Sequence, residues 1–271
     1  MLSEDPQTTL VSRQRWADAE NIGEADCDQV AVEEPLEIRV AHAQLAVLMR
    51  TPGHDLDLAL GHALGEGVFA APSQVQRVFH CSIGENADNV VVLSPRPGIV
   101  PDLARFSRNS FASSSCGTCG KRSIEQALRI AQPLAQGSTF FARQLVTAPD
   151  RLRRQQAAFT STGAMHAAGL VSAQGEVSLV REDVGRHNAV DKVIGAAARA
   201  QLSTTDCALV VSGRVSFEIV QKAVAARIAA IVSVGGATSL AVQFACASRV
   251  AIAGFARKGT LSVYGCEGVI K

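Results

Sequence analysis

From Pro35 onward the chain alternates. Leu36, Ile38 and Val40 recur at every second position, a short polar turn follows, and Leu45, Val47 and Met49 alternate again, which predicts a β-hairpin. "DLDLALGHALGEGVF" (55–69) has helical spacing, while "VQRVFHCSIG" (75–84) and "NVVVLSP" (89–95) read as two more strands. Residues 94–120 are rich in Pro, Ser and Gly and predict an exposed, mobile loop. Ser123-Ile-Glu-Gln126 is a capping box that would start a helix running to about Arg129, and Pro133 would end it. Pro149 and the basic run 151–154 mark the passage to a second unit.

The second unit is more regular. "AAGLVSAQGEVSLVREDVG" (167–185) predicts two strands around a Gln-Gly turn, followed by a helix from about Asn188 to Ala200. The strand "ALVVSG" (208–213), the helix "FEIVQKAVAARI" (217–228), the strand "AIVSVGG" (230–236) and the helix "SLAVQFACASR" (239–249) come next. "VAIAGFA" (250–256) and "TLSVYG" (260–265) close the series. The resulting ββαβαβαββ order predicts an α/β layering, a sheet covered by helices, behind an α+β N-terminal part. Three segments follow: a polar, acidic and poorly ordered tail over 1–30, an α+β region over 31–150 that carries the loop, and an α/β domain over 151–271.

Composition narrows the function classes. At 4% aromatic residues the chain has no stacking platform for single-stranded nucleic acid. The net charge of +1 conceals an asymmetry: residues 1–34 hold nine acidic and two basic side chains, leaving sixteen acidic and twenty-four basic in the other 237. A body of about +8 suits an anionic small ligand or an acidic partner and is too diffuse for DNA. "MLSEDPQTTL" has no apolar core, so no secretory signal is read there. Residues 228–248 are uncharged for long enough to span a bilayer, but Gly235-Gly236 interrupts them, and a buried strand, turn and helix is the expectation. Seven cysteines, five of them scattered (Cys27, Cys81, Cys207, Cys246, Cys266), indicate a reducing compartment, and Cys207 and Cys246 read as small core residues.

Candidate chemistry gathers in two places. The turns "REDVGRHN" (181–188), "SGRVS" (212–216) and "VGGATS" (234–239) join strands to helices, and "FARKGT" (255–260) joins the last two strands. Ligands bind at the carboxyl ends of strands in open sheets, where helix N-termini offer free N–H groups, so Arg186, Arg214, Arg257 and Lys258 are candidates to surround phosphates. None of these turns is a Walker loop or a G-x-G-x-x-G fingerprint. His187 opens a helix after a hairpin, as the metal-binding residue of zinc deaminases does, but Ala189 stands where the catalytic Glu would be and no Pro-Cys-x-x-Cys follows. It is read as either a cap and supporting hydrogen bond or a ligand contact.

The other place is "SSSCGTCGKRSIEQA" (113–127). Cys116 and Cys119 can hold half of a zinc site, close a redox disulfide, or carry sulfur as a persulfide. Zinc is disfavoured because no second pair follows, although Cys81 or His80 could be recruited from a distance. A thioredoxin-like enzyme sets its pair after a strand, often beside an aromatic residue, unlike this Ser/Gly loop. Lys121, Arg122 and a following helix N-terminus would favour the thiolate that both disulfide exchange and sulfur transfer need.

These residues together resemble one family, the formate dehydrogenase accessory sulfurtransferases, FdhD. The resemblance runs through "EEPLEIRV", "MRTPGHDLDLALGHALGEG", "SSCGTCGK", "REDVGRHNAVDKVIG", "VSGRVSFEIVQKA" and "GFARKGTLSVYG", nearly everything after residue 30. It implies a sulfurtransferase that takes persulfide sulfur from a cysteine desulfurase on Cys116, with Cys119 as accessory partner. The sulfur would pass to the molybdenum cofactor, bis-molybdopterin guanine dinucleotide, before formate dehydrogenase receives it. Phe255, Ala256, Arg257, Lys258, Gly259 and Thr260 match the family's cofactor-contact segment, and Arg186, His187, Arg214, Gly235 and Gly236 join them as cofactor-binding candidates. The resemblance also implies a cytidine deaminase-like three-layer scaffold and a cytoplasmic homodimer, with no permanently bound metal and no nucleic-acid or membrane partner. Two readings of another class stand beside it: a cofactor chaperone whose cysteines only grip the metal or brace the loop, and a thiol–disulfide oxidoreductase.

Overall fold

A computed structural model describes residues 6–17, 20, 21, 23, 25–82, 87–101, 103, 133–135 and 139–271. Cys116, Cys119, Lys121, Arg122 and the capping box at Ser123 lie outside these residues.

The polar N-terminal stretch, expected to be a poorly ordered tail, carries a β-ribbon instead. Strand β1 (Thr8–Arg13) pairs antiparallel with β4 (Asp26–Ala31), and the short β2 (Trp16–Ala17) pairs with β3 (Glu20–Asn21). The charges that suggested disorder partly neutralise one another across the ribbon: Arg13 binds Asp26 at 2.8 Å and also Asp28, and Arg15 reaches Asp26 at 3.1 Å.

The hairpin is β5 (Glu34–Val40) and β6 (Ala43–Arg50), with Leu36 opposite Leu48 and Ile38 opposite Ala46. Its inward face departs from the expected one. The register shifts at Ile38/Arg39, which leaves Leu45 as an extra residue on β6 and reverses the alternation beyond it. Leu48 and Arg50 therefore point inward, while Met49 is 42% exposed. Strands β7 (Val75–His80) and β8 (Val90–Pro95) complete a four-stranded sheet of order β6-β5-β8-β7. Helix α1 (Asp55–Gly65) follows the hairpin, and its Leu58, Ala59 and Ala63 lie in the same core as Leu36, Ile38 and Leu93 of the sheet.

Three short helices follow: α2 (Ala142–Leu145), α3 (Ala148–Arg154) and α4 (Ala157–Thr162). Helix α3 spans the boundary expected at 150/151, and its Ala148 and Leu152 pack onto the second sheet. The predicted ββαβαβαββ order is then observed: β9 (His166–Ser172), β10 (Val177–Asp183), α5 (Arg186–Arg199), β11 (Cys207–Val211), α6 (Phe217–Ala225), β12 (Ala230–Ser233), α7 (Ser239–Ser248), β13 (Ala251–Arg257) and β14 (Thr260–Gly265). They form a six-stranded sheet of order β10-β9-β11-β12-β13-β14.

This sheet is buried on both faces, which explains its nearly continuous apolar strands. Leu170, Leu209, Val211, Ile231 and Ile252 face the core shared with α1, α5 and α6, while Val171, Ala208, Val210, Ala230 and Val232 face α2 and α3. Cys207 is partly buried in this sheet, whereas Cys246 is exposed on α7 rather than packed in the core. No helix among the described residues is long and apolar enough to cross a membrane.

The two sheets are joined through α1 and α5, which cross with backbones nearly touching. A Cβ on Gly61 would lie 1.8 Å from the Asp191 carbonyl oxygen, and one on Gly195 would lie 1.8 Å from that of Asp57. Only glycine admits this approach. Charges at the crossing are paired: Asp57 accepts from Arg199 at 2.6 Å and from Arg181 at 3.2 Å.

Candidate functional site

Strands β10, β11, β12 and β13 run in one direction, because β9 is antiparallel to both β10 and β11, and β11–β12–β13 pair in parallel. Their carboxyl ends share one edge of the sheet. β9 starts at that edge with His166 opposite Asp183, and β14 starts there with Thr260 opposite Arg257. The four turns singled out in the sequence all lie at this edge.

Neighbouring turns are tied by hydrogen bonds. Ser233 Oγ donates to the Gly213 carbonyl at 2.5 Å and accepts from Gly235 N at 2.9 Å. Val215 N donates to Gly236 O at 3.0 Å, and Phe255 N to Gly235 O at 2.9 Å. Gly236 is there for space, since a methyl on it would strike the Phe255 ring at 2.7 Å, whereas one on Gly235 would only reach contact distance from the Arg214 backbone at 3.4 Å. Phe255 itself adopts φ +54° at a register shift between β13 and β14, which leaves its ring 43% exposed over Gly236. Lys258 (φ +50°) and Gly259 (φ +79°) make the hairpin turn, and Arg257, Lys258 and Thr260 are exposed.

The edge thus assembles Arg186, His187, Arg214, Gly235, Gly236 and the 255–260 hairpin. One candidate drops out as a side-chain contact: Ala256 is buried in the core against α2 and α3, because the shift after Gly254 turns it inward. Helix α5 starts at Arg186, two residues earlier than expected, so Arg186 and His187 lie in its first turn. The N-caps of α5 and α6, Gly185 and Ser216, make no side-chain capping bond, whereas Thr238 caps α7 by accepting from Ala241 N at 3.3 Å. Uncapped helix starts beside arginines favour anions. The Nε of Arg186 is buried without a hydrogen-bond partner among the described residues.

Behind the edge lies a charged network that sequence reading missed. His187 Nε2 is 3.2 Å from Ser216 Oγ and 3.1 Å from Glu218 Oε2. Burial, with Arg186 and Lys222 nearby, pushes the His187 pKa down to about 4, so the ring is neutral at physiological pH. His166 is likewise held below the usual histidine range by burial and Arg186. Burial pushes the Glu218 carboxyl up, opposed by Lys222. Lys222 Nζ sits 2.8 Å from Asp191 and 3.7 Å from Glu66. Burial alone would raise the Asp191 pKa, but Lys222 and His62 outweigh it and hold it low. The four-residue spacing of Glu218 and Lys222, which puts them on one helix face, was the available signal.

A second buried pair fixes the β10–α5 turn. Lys192 Nζ lies 2.7 Å from Asp183 Oδ2 and donates to the carbonyls of Thr51 at 2.8 Å and Glu182 at 3.3 Å. Asp183 accepts from Gly185 N at 2.8 Å and Asn188 Nδ2 at 3.0 Å, and Asn188 also donates to Met49 O at 2.8 Å. Among the described residues no cluster of His, Cys, Asp and Glu could hold a metal, and His80 Nδ1 is 3.0 Å from the Asp88 carbonyl.

Comparison with known proteins supplies the lineage. A solved structure from Desulfotalea psychrophila, described as a formate dehydrogenase accessory protein, superposes with a TM-score of 0.78, covering 98% of this chain and all of that one at 19% identity, which establishes a shared fold. In sequence, the chain is 43% identical over 251 residues to the sulfur carrier protein FdhD of Corynebacterium efficiens, covering 89% of this chain and 90% of that protein. It is 43% identical over 246 residues to the protein of that name from Streptomyces coelicolor (88% and 87% covered), and 41% identical over 247 residues to that of Mycobacterium tuberculosis (88% and 90%). The FdhD/NarQ family model matches residues 31–271, leaving out residues 1–30, and the chain belongs to the FdhD/NarQ family.

Proposed function

We propose that this protein is a sulfur carrier that accepts sulfur on Cys116 as a persulfide and delivers it to a molybdenum cofactor destined for formate dehydrogenase. The observation that carries the reading is the family match over residues 31–271, which takes in both the Cys116–Cys119 pair and all four turns at the sheet edge. The relatives at 41–43% identity are named sulfur carriers, and the structural relative is described as a formate dehydrogenase accessory protein.

The first step is thiolate attack by Cys116 on the outer sulfur of a cysteine desulfurase persulfide. One S–S bond forms, one breaks, and the desulfurase thiolate leaves, so there is no net oxidation. Delivery reverses the logic: the Cys119 thiolate attacks Cys116 Sγ, a disulfide forms, and the outer sulfur departs as sulfide to the cofactor's metal. The two thiolates supply the two electrons that reduce it.

The proposed place for the acceptor is the edge of the six-stranded sheet. Bis-molybdopterin guanine dinucleotide carries two pyrophosphates and two guanines. Arg186, Arg214, Arg257 and Lys258, with the starts of α5 and α6, offer charge and N–H groups to such an anion. These residues act by binding and take no part in bond breaking. The scaffold reading as cytidine deaminase-like rests on the ββαβαβαββ order, and assembly as a homodimer belongs to the same proposal.

The test is the mass of the full chain after incubation with a cysteine desulfurase and cysteine, beside Cys116→Ala and Cys119→Ala. One added sulfur that vanishes in Cys116→Ala is expected. No added sulfur in the unsubstituted protein refutes transfer from that donor and favours a cofactor chaperone.

A further inference from the structure

The contacts of His187 with α6 and with its N-cap fall on one ring nitrogen. Nε2 meets Ser216 Oγ at 3.2 Å and Glu218 Oε2 at 3.1 Å, which rules out the Ser–His–acid relay of hydrolases, where hydroxyl and carboxylate take opposite nitrogens. A bare Nε2 facing an ionised carboxylate would set two lone pairs against each other. The single proton of a neutral imidazole therefore belongs on Nε2, donated to Glu218. Burial pushes the Glu218 carboxyl up, and the Lys222 ammonium one turn along α6, itself anchored by Asp191 at 2.8 Å and Glu66 at 3.7 Å, opposes that push and favours the charged carboxylate.

Nδ1 lies on the far side of the ring from α6 and has no partner among the described residues. In the preceding residue, the buried Nε of Arg186 also has none. Two consecutive residues in the first turn of α5 thus hold one unused acceptor and one unused donor at the sheet edge.

We propose that Glu218 is a positioning residue: it fixes His187 as the Nε2–H tautomer, so that Nδ1 accepts from a ring or amino N–H of a purine base bound beside Arg186. The inference rests on the nucleotide-cofactor reading of this edge. It adds the reason a histidine, rather than a further cation, stands among the arginines. A positively charged ring would offer the base a second donor and no acceptor.

Long-range proton–nitrogen spectra of the full chain labelled with nitrogen-15 histidine test the tautomer, with His187→Gln assigning the signal. The Nε2–H pattern is expected in the unsubstituted protein and in Glu218→Gln, whose side-chain oxygen still accepts, and should be lost in Glu218→Leu. An Nδ1–H pattern in the unsubstituted protein, or an unchanged spectrum in Glu218→Leu, overturns the proposal even if one variant misfolds. Titration with guanosine 5′-diphosphate reads the consequence: affinity should fall roughly tenfold in Glu218→Leu and stay within about twofold in Glu218→Gln. Equal affinity in Glu218→Leu and the unsubstituted protein also overturns it. If the diphosphate fails to bind the unsubstituted protein, the cofactor reading of the edge falls, and the spectra alone decide the role of Glu218.

Discussion

Replacing Lys192 with Met should destabilise the protein far more than the loss of one surface ion pair. The ammonium and the Asp183 carboxylate are both fully buried, 2.7 Å apart. Met fills nearly the same volume, so the perturbation is electrostatic. It leaves the Asp183 anion with only the N–H groups of Gly185, Asn188 and, at 3.3 Å, Thr51. It also strips the Thr51 and Glu182 carbonyls of their ammonium donor. Removing one member of a buried pair costs about 3–5 kcal/mol. At about 2–4 °C per kcal/mol for chains of this order, the melting temperature should fall by roughly 10 °C, followed by circular dichroism. Adding Asp183→Asn removes the stranded charge while keeping an acceptor for Gly185 N. The double variant should therefore be more stable than the two single losses predict, by about 2 kcal/mol or more in a double-mutant cycle. A single-variant loss under about 1 kcal/mol, or strict additivity, would refute the view that this pair clamps the β10–α5 turn to the Thr51 segment.

Two further outcomes follow from the same geometry. Gly195→Ala should destabilise by about 2–3 kcal/mol in urea unfolding, although alanine is the better helix former by about 1 kcal/mol, because α1 and α5 must part to admit a Cβ 1.8 Å from Asp57 O; a stabilised variant would contradict the crossing. His187, with a folded pKa of about 4 against 6.5, binds its proton more readily when unfolded, so stability is lost as pH falls from about 6.5 towards 4. His187→Gln should remove about 3 kcal/mol of that acid dependence, read as a flatter plot of melting temperature against pH; parallel plots would count against a buried neutral ring.

How much of this was legible in the sequence depends on whether a neighbour in space was also a neighbour in pattern. The second unit's strands and helices carry their own signals, since each apolar run is bounded by a glycine turn, and the anion candidates sit on those turns. Parallel pairing then carries them to one edge. The β5–β6 bulge leaves no local mark, because Leu45, Val47 and Met49 alternate as well as Leu48 and Arg50 do with Leu45 expelled from the ladder. Gly61 and Gly195 read as ordinary weak points of helices until the other helix is laid across them. The N-terminal ribbon was missed because acidic composition argues against burial, and a two-stranded ribbon needs little of it; its ladder is held by backbone pairing and by Arg13 across to Asp26 and Asp28.

The charged residues behind the edge were illegible for a related reason that bears on function. Asp183, Asp191, Lys192, Lys222 and Glu218 look like solvated helix and turn charges in a list, yet four of the five are buried. Each pairs with a residue from another element: Lys192 of α5 with Asp183 at the end of β10, Lys222 of α6 with Asp191 of α5, and Glu218 of α6 with His187 of α5. A core held only by apolar contact would tolerate small slides of these helices. Paired buried charges do not, because a slide of an ångström or so breaks bonds that water cannot replace. The first turn of α5 is thereby held in register with the turn from β11 into α6, which is what the proposed site for a large anion requires.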